Sequence, residues 1–357
     1  MDHMIEEYTN RLLSKQENIF KNQTNTYINT NTNTNTNRNT NTNTLSDTIF
    51  ANIKKYSHEE YQYLHLLQNI IDNGFWEEGR NGKTKSVFGS SIRFSLQNGR
   101  IPILTTKKTA WKTCLKELLW FIHGETDNNI LKSQGVHIWD ANGTREFLNS
   151  RDLTNYPEGI LGPIYGFQWR NFNGYYDICD CKPFNSCECN ELASKHHRID
   201  QLQQIIDDLK DPLKRSSRRL LMTAWNPQQL DQMALPPCHV LCQFNVHDGN
   251  KLSCALYQRS VDCMLGQPFN IASYSFLTHL LAKHCDLEAY EFIHFMGNCH
   301  IYEEHLDGAR LQISREPFEF PTISINEIRD NINDYQVDDF EIHNYHHHNT
   351  IKMQMIA

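Results

Sequence analysis

A cysteine at the mouth of a hairpin constrains this chain more than any other feature. The stretch Leu235-Pro-Pro-Cys-His-Val-Leu-Cys-Gln-Phe244 leaves a double proline and opens an alternating run, Val240, Cys242, Phe244, Val246. Such alternation marks a strand with one buried face. The run ends at His247-Asp-Gly-Asn250, and a second, Leu252-Ser-Cys-Ala-Leu-Tyr-Gln-Arg259, returns. Asp-Gly between two such runs is a strong hairpin signal. A two-residue turn at Asp248-Gly249 sets Cys238 opposite Arg259, whereas a three-residue loop sets it opposite Ser260. In either register a guanidinium lies beside a thiol, which is expected to lower the cysteine's pKa. Cysteine is more often an inert buried residue; here the register points to a nucleophile.

The 357 residues suffice for one large domain or two small ones. A net charge of −8 argues against general nucleic-acid binding, yet a local basic cluster can hold one phosphorylated small molecule. No apolar run is long enough to span a membrane, and the N-terminus, Met1-Asp-His-Met-Ile-Glu-Glu, lacks the regions of a signal peptide. Eleven cysteines without such a signal imply reduced thiols and a cytoplasmic location. Residues 1–55 are expected to be a disordered tail, because Asn22 to Thr44 is almost entirely Asn and Thr and has little to bury.

Folded structure is expected from about Tyr56. Tyr63, Leu66, Leu67, Ile70 and Ile71 share a helical face within Glu59–Asn73. Gly79 to Ser86 is a glycine-bearing loop with Arg80, Lys83 and Lys85, a composition that suits either a phosphate or solvent. Short strands are expected at Ser86–Phe88 and Ile92–Leu96. Trp111 to Ile122 is the clearest helix, with Glu117 at the edge of its apolar stripe; periodicity alone favours an ordinary boundary residue there. His137-Ile-Trp-Asp140 and Gly162-Pro-Ile-Tyr-Gly-Phe-Gln-Trp-Arg170 read as aromatic-rich loops or strand ends. Cys179, Cys181, Cys187 and Cys189 fall in a polar insertion at about 177–198, with spacing poor for zinc. Arg218-Arg219 is expected to open a strand, Leu220–Trp225, so that the two side chains face opposite ways. A helix is expected over Ile271–Cys285 and a strand over Glu291–Phe295. His346-His347-His348 is expected to be exposed and incidental.

From about Tyr56 to Ala357 the chain resembles the thymidylate synthase family. The resemblance rests on collinear motifs: Leu118-Leu-Trp-Phe121, Ile138-Trp-Asp140, Gly162-Pro-Ile-Tyr-Gly166, Ser217-Arg-Arg219, Pro237-Cys-His239, Tyr257-Gln-Arg-Ser260, Pro268-Phe-Asn-Ile-Ala-Ser-Tyr274 and His300-Ile-Tyr302. It implies an α/β fold, a large mixed sheet flanked by helices, whose sheet face makes a homodimer. It implies reductive methylation of dUMP to dTMP, with 5,10-methylenetetrahydrofolate as one-carbon and hydride donor and no metal. Cys238, Glu117, Asp262 and Tyr165 would be catalytic, Glu117 through a water relay, which reverses the bland reading of that residue. The dUMP contacts would be Arg80, Cys238, His239, Gln258, Arg259, Ser260, Asp262, Asn270, His300 and Tyr302, with Arg218 and Arg219 donated by the second protomer. The folate would meet Trp139, Asn142, Asp262, Gly266, Phe269 and Ala357. A hydroxymethylase of the same fold and a non-catalytic nucleotide- or RNA-binding relative are the alternatives; Asn270, where the dCMP hydroxymethylases carry Asp, favours uracil. Departures from the family's usual pattern are the loop Arg80-Asn-Gly-Lys-Thr-Lys85, Ala255, Asn298 and one extra residue near Asn250. None removes a reacting group.

Overall fold

Residues 58–79, 81–176 and 198–356 are described by a computed structural model. The Asn/Thr tract, Arg80, the four cysteines of the insertion and Ala357 lie outside the described residues, together with the expectations made for them. In chain order the elements are α1 (Glu60–Asn73), β1 (Phe75–Gly79), β2 (Gly82–Ser95), α2 (Trp111–Ile122), α3 (Asn128–Ser133), α4 (Arg145–Ser150), α5 (Tyr165–Asn171) and α6 (Gln201–Lys210). Then follow β3 (Leu221–Thr223), β4 (His239–His247), β5 (Lys251–Asp262), α7 (Gly266–His284), β6 (Glu288–Tyr302), α8 (Leu306–Ile313), β7 (Thr322–Ile325) and β8 (Phe340–His343).

Six strands form one sheet in the order β1-β2-β6-β5-β4-β3, and β7 pairs with β8 apart from it. Within the large sheet β5 and β6 are parallel and every other neighbouring pair is antiparallel, so the sheet is mixed as expected. Helix α7 packs on β5 and β6 with α2 against it, and nearly all its residues are buried. A helix apolar on all sides belongs in a core. The opposite face of the sheet leaves Tyr257, Phe295 and Leu221 exposed at 40, 46 and 41%.

The hairpin takes a three-residue loop, Asp248 to Asn250, with Asp248 at φ 48°. From His247↔Lys251 to Leu241↔Tyr257 the strands keep the register of that loop. Carried on, it would set Cys238 opposite Ser260. A bulge between His239 and Leu241 moves the register back by one residue, so His239 pairs with Gln258 and the Arg259 N–H donates to the Cys238 carbonyl at 2.9 Å. The irregularity continues across the sheet. A side chain at Gly297 of β6 would place its Cβ 2.6 Å from the Arg259 carbonyl oxygen. Next to it in β2, Gly89 has φ 82°. The kink thus crosses four neighbouring strands at the level of the cysteine.

Several expectations need correction. The two short strands at Ser86–Phe88 and Ile92–Leu96 are one strand, because β2 runs through Gly89. Arg218 and Arg219 stand in the turn before β3, so strand alternation does not govern them. Gly162 to Arg170 is a turn leading into helix α5, not a strand end. Helix α7 begins at Gly266, five residues before Ile271, since the helix admits Pro268 in its first turn, where a missing N–H costs nothing. The strand expected over Glu291–Phe295 extends over all of β6. His348 is half-buried and structural: its N–H donates to the Thr105 carbonyl at 2.8 Å, and its Nε2 meets the Glu316 carbonyl at 2.8 Å.

Candidate active site

Cys238 is the half-buried member of the described cysteines; Cys114, Cys242, Cys254, Cys263, Cys285 and Cys299 are buried. The double proline presents it. Arg259 donates through Nε to the Pro237 carbonyl at 2.9 Å and through Nη2 to the Pro236 carbonyl at 2.8 Å. Its guanidinium also lies 5.5 Å from the Trp225 ring centroid. The cation is therefore fixed from two sides beside the thiol. Burial nevertheless raises the Cys238 pKa, and Arg259 offsets this only in part. The expected net lowering is thus wrong for this chain by itself: desolvation of a thiolate outweighs one guanidinium.

An aromatic wall faces the cysteine. The Tyr165 hydroxyl, at the start of α5, accepts the Cys238 N–H at 2.8 Å. Burial holds that hydroxyl protonated, its pKa well above the usual tyrosine value. Tyr165 stacks on Phe121 at 4.9 Å between centroids and meets Trp139 edge-on at 5.9 Å. Trp139 Nε1 donates to Glu117 Oε1 at 2.7 Å. Glu117 is only 9% exposed, and burial lifts its pKa to about 7 although the Trp139 hydrogen bond pulls the other way. It is no boundary residue. Behind this wall Gln168 donates to the Pro163 carbonyl at 2.7 Å and to Gln229 Oε1 at 2.9 Å, which anchors the turn into α5.

The floor is made by α7 and the hairpin. Asn270 and His239 are buried against each other, and apart from that mutual contact Asn270 Oδ1 and His239 Nδ1 have no hydrogen-bond partner among the described residues. Buried polar atoms are rarely left unpaired, so two such atoms side by side ask for a polar ligand. Burial drives the His239 pKa down to about 4, so the ring is a neutral donor or acceptor. Gly266 leaves room against Asn270, since a Cβ there would lie 3.7 Å from Asn270 Oδ1. Phe269 is part-buried in the same first turn. Gln258 is turned inward: its Oε1 meets His294 Nε2 at 2.8 Å and its Nε2 donates to the Ser260 carbonyl at 3.0 Å.

The ends of β5 and β6 close the site. Asp262 lies opposite His300, and Ser260 opposite Asn298. Asp262 Oδ1 accepts the N–H groups of Met264 at 2.9 Å and Leu265 at 3.1 Å. His300 Nδ1 is 2.9 Å from Asn298 Oδ1, which makes Nδ1 the protonated nitrogen and leaves Nε2 as an acceptor. The Tyr302 ring stands edge-on to His300 at 5.4 Å. Asn142 is buried in the turn after Trp139, its N–H on the Trp139 carbonyl at 3.1 Å. Arg218 and Arg219 are exposed in the turn before β3, where the Arg218 carbonyl accepts from Gln243 Nε2 at 3.2 Å, further along β4 than Cys238.

Lys107 was not anticipated. Its side chain is buried, its ammonium donates to the Met264 carbonyl, and burial lowers its pKa to about 8 with Asp262 pulling it up. The available signal was a charged residue directly after the mostly apolar Ile101 to Thr106. Among the described residues no group of three or more His, Cys, Asp or Glu side chains is gathered to hold a metal, and no helix is long and apolar enough to cross a membrane.

Comparison with known sequences agrees with this geometry. The family described as "Thymidylate synthase" matches residues 61–357. The bifunctional dihydrofolate reductase-thymidylate synthase of Plasmodium berghei (strain Anka) is 47% identical over 312 residues, covering 87% of this chain and 50% of the relative. A probable thymidylate synthase of Schizosaccharomyces pombe is 46% identical over 317 residues, with 86% and 49% covered. The bifunctional protein of Leishmania major is 46% identical over 301 residues, with 84% and 55% covered. The chain spans about half the length of the curated relatives it matches. With that family's sequence running from Tyr61 to Ala357 through every wall of the site, the chain belongs to the thymidylate synthase family.

Proposed function

We propose that this chain catalyses reductive methylation of dUMP to dTMP by 5,10-methylenetetrahydrofolate, with release of dihydrofolate. The observation that carries this reading is the buried Asn270 Oδ1, met within the protein only by the His239 ring, on the floor beside the hairpin thiol. An amide offers one acceptor and two donor hydrogens, so Oδ1 would take uracil N3–H while Nδ2 donates to O4. Cytosine presents the opposite pattern. His300 Nε2, left as an acceptor, suits a ribose hydroxyl, with Tyr302 beside it. Arg259 and Ser260 would meet the phosphate, joined by Arg80 and by Arg218 and Arg219 of a second protomer.

Uracil C5 is a poor nucleophile until a group adds at C6. Cys238 Sγ would form that bond, its proton passing to water before sulfur bonds to carbon and the C5–C6 electrons then moving through C4 onto O4. Arg259 stabilises the sulfur charge before the bond closes, and Asn270 stabilises the charge at O4. With a pKa of about 7, Glu117 exists in both forms near neutrality and can pass a proton through water toward O4. Tyr165 holds the backbone of Cys238 and keeps the sulfur at a fixed depth. The bound folate supplies the one-carbon unit and, later, a hydride. C5 would bond to the one-carbon unit and lose its proton to water, and the folate nitrogen would depart to leave an exocyclic methylene. Hydride from the folate would add to that methylene as C5=C6 re-forms and the sulfur is expelled, so that the folate leaves oxidised. Trp139, Asn142, Asp262, Gly266 and Phe269 would line the side where it lies, and Ala357 would close over it to exclude water.

The working unit on this reading is a homodimer. Tyr257, Phe295 and Leu221 form an uncovered apolar sheet face, and such faces mark association surfaces. The exposed Arg218 and Arg219 precede the edge strand β3 of the same sheet. Residues 56–357 would form the catalytic domain, with residues 1–55 dispensable for turnover, and the free cysteines suit a reducing, cytoplasmic setting. The test is release of tritium from 5-tritiated dUMP together with the absorbance of dihydrofolate. Both signals are expected in step. Tritium loss without dihydrofolate identifies a hydroxymethylase, and absence of both identifies a binding protein.

A further inference from the structure

His294 of β6 has no exposed surface, and nothing in the proposed chemistry uses it. Its Nε2 lies 2.8 Å from Gln258 Oε1. The nitrogen of the same amide donates to the Ser260 carbonyl at 3.0 Å, so Gln258 presents its oxygen to the ring and the imidazole hydrogen sits on Nε2. His294 Nδ1 is buried without a partner among the described residues. Burial, with His239 nearby, pushes the His294 pKa down to about 3, and the ring is neutral. Ser260 follows Arg259, whose own N–H is held by the Cys238 carbonyl at 2.9 Å. The kink at Arg259 is therefore held by Cys238 through the Arg259 N–H and by Gln258 through the next residue's carbonyl.

We infer that His294 is a positioning residue for the thiol and its cation: it fixes Gln258, Gln258 fixes the Ser260 carbonyl, and the kinked backbone keeps the Arg259 guanidinium beside Cys238. The link is a chain of hydrogen bonds, the first buried and the second part-buried, in which each donor has one acceptor. Its loss would leave Gln258 Oε1 buried and unpaired and free the amide to turn, releasing the kink. The inference rests on the proposed reaction for its effect on dUMP, but not for its effect on the thiol.

The first measurement is nitrogen NMR of the His294 ring in the unaltered protein. The neutral Nε2–H tautomer is expected across the pH range in which the protein folds; an Nδ1–H tautomer, or titration in the ordinary histidine range, overturns the inference. The second uses His294→Leu. Alkylation of Cys238 by iodoacetamide at neutral pH should slow about tenfold and the dUMP dissociation constant should rise about tenfold, while the KM for folate stays within about twofold. His294→Gln, which keeps an N–H donor, should recover both values to within about threefold of the unaltered protein. A leucine variant with unaltered alkylation and dUMP affinity overturns the inference. If that variant does not fold, Gln258→Leu breaks the same link from its other end and is judged by alkylation of Cys238 alone, since Gln258 is itself expected to meet dUMP. Should the unaltered protein bind no dUMP, the proposed reaction fails, and alkylation still decides the role of His294.

Discussion

Trp139 donates its indole N–H to a carboxylate, Glu117, that burial would rather keep protonated. The hydrogen bond favours the charged form and desolvation the neutral one, and desolvation wins. In the folded protein the pKa stands at about 7, above the 4.5 of an unperturbed glutamate. Between these values the native state holds a proton that the unfolded chain has released. Stability from this group is full below the lower value and is lost as pH rises to the higher one. At about 1.4 kcal/mol per pKa unit the loss is about 3 kcal/mol. Glu117→Gln keeps an acceptor for Trp139 and should abolish that loss, so urea midpoints near about pH 8 should exceed those of the unaltered protein. Turnover should fall at every pH, because an amide cannot relay the proton.

Removing the nucleophile gives the sharpest chemical prediction. Cys238→Ser should form no covalent complex with 5-fluoro-dUMP and folate, and turnover should drop by about ten-thousand-fold or more. Denaturing electrophoresis of the complex checks it. An adduct that survives the change moves the nucleophile elsewhere.

The exposed pair Arg218 and Arg219 predicts complementation between inactive proteins. Arg218→Glu and Cys238→Ser should each be nearly inactive alone. After unfolding and refolding together in equal amounts, half of the dimers are hybrids, and one site in each hybrid has an intact cysteine and an intact donated arginine. Activity should return to about a quarter of the unaltered value. No recovery would mean that Arg218 serves the chain that carries it.

Gly297 predicts the cost of straightening the sheet. In Gly297→Ala the new methyl would meet the Arg259 carbonyl oxygen at 2.6 Å, a rigid backbone atom. Stability should fall by about 1–3 kcal/mol in urea unfolding, and dUMP affinity should weaken with it.

The sequence carried the nucleophile and its cation, because the hairpin signal and the double proline are local. It left their register open by one residue. The loop length alone points to Ser260, and the bulge that restores Arg259 is accompanied by the close approach of Gly297 to the Arg259 carbonyl, a contact between distant parts of the chain. Glu117 was legible only through the family resemblance, since its hydrogen-bond partner Trp139 comes from a distant turn and the helix is buried well beyond the stripe that its spacing marks. The net ionisation of Cys238 was misread because residue spacing reports a neighbouring charge but not the removal of water. Lys107 escaped for the same reason. The unbroken β2 and the early start of α7 show tertiary pairing and packing overriding local punctuation by Gly89 and Pro268.

The loop at the hairpin tip and the bulge near its base are opposite offsets of one residue each, and they cancel before Cys238 is reached. The one added residue at the solvent end is therefore absorbed within the strand pair, and the reactive end does not register it. A tip trimmed by one residue would keep its chemistry in place only by giving up the bulge as well.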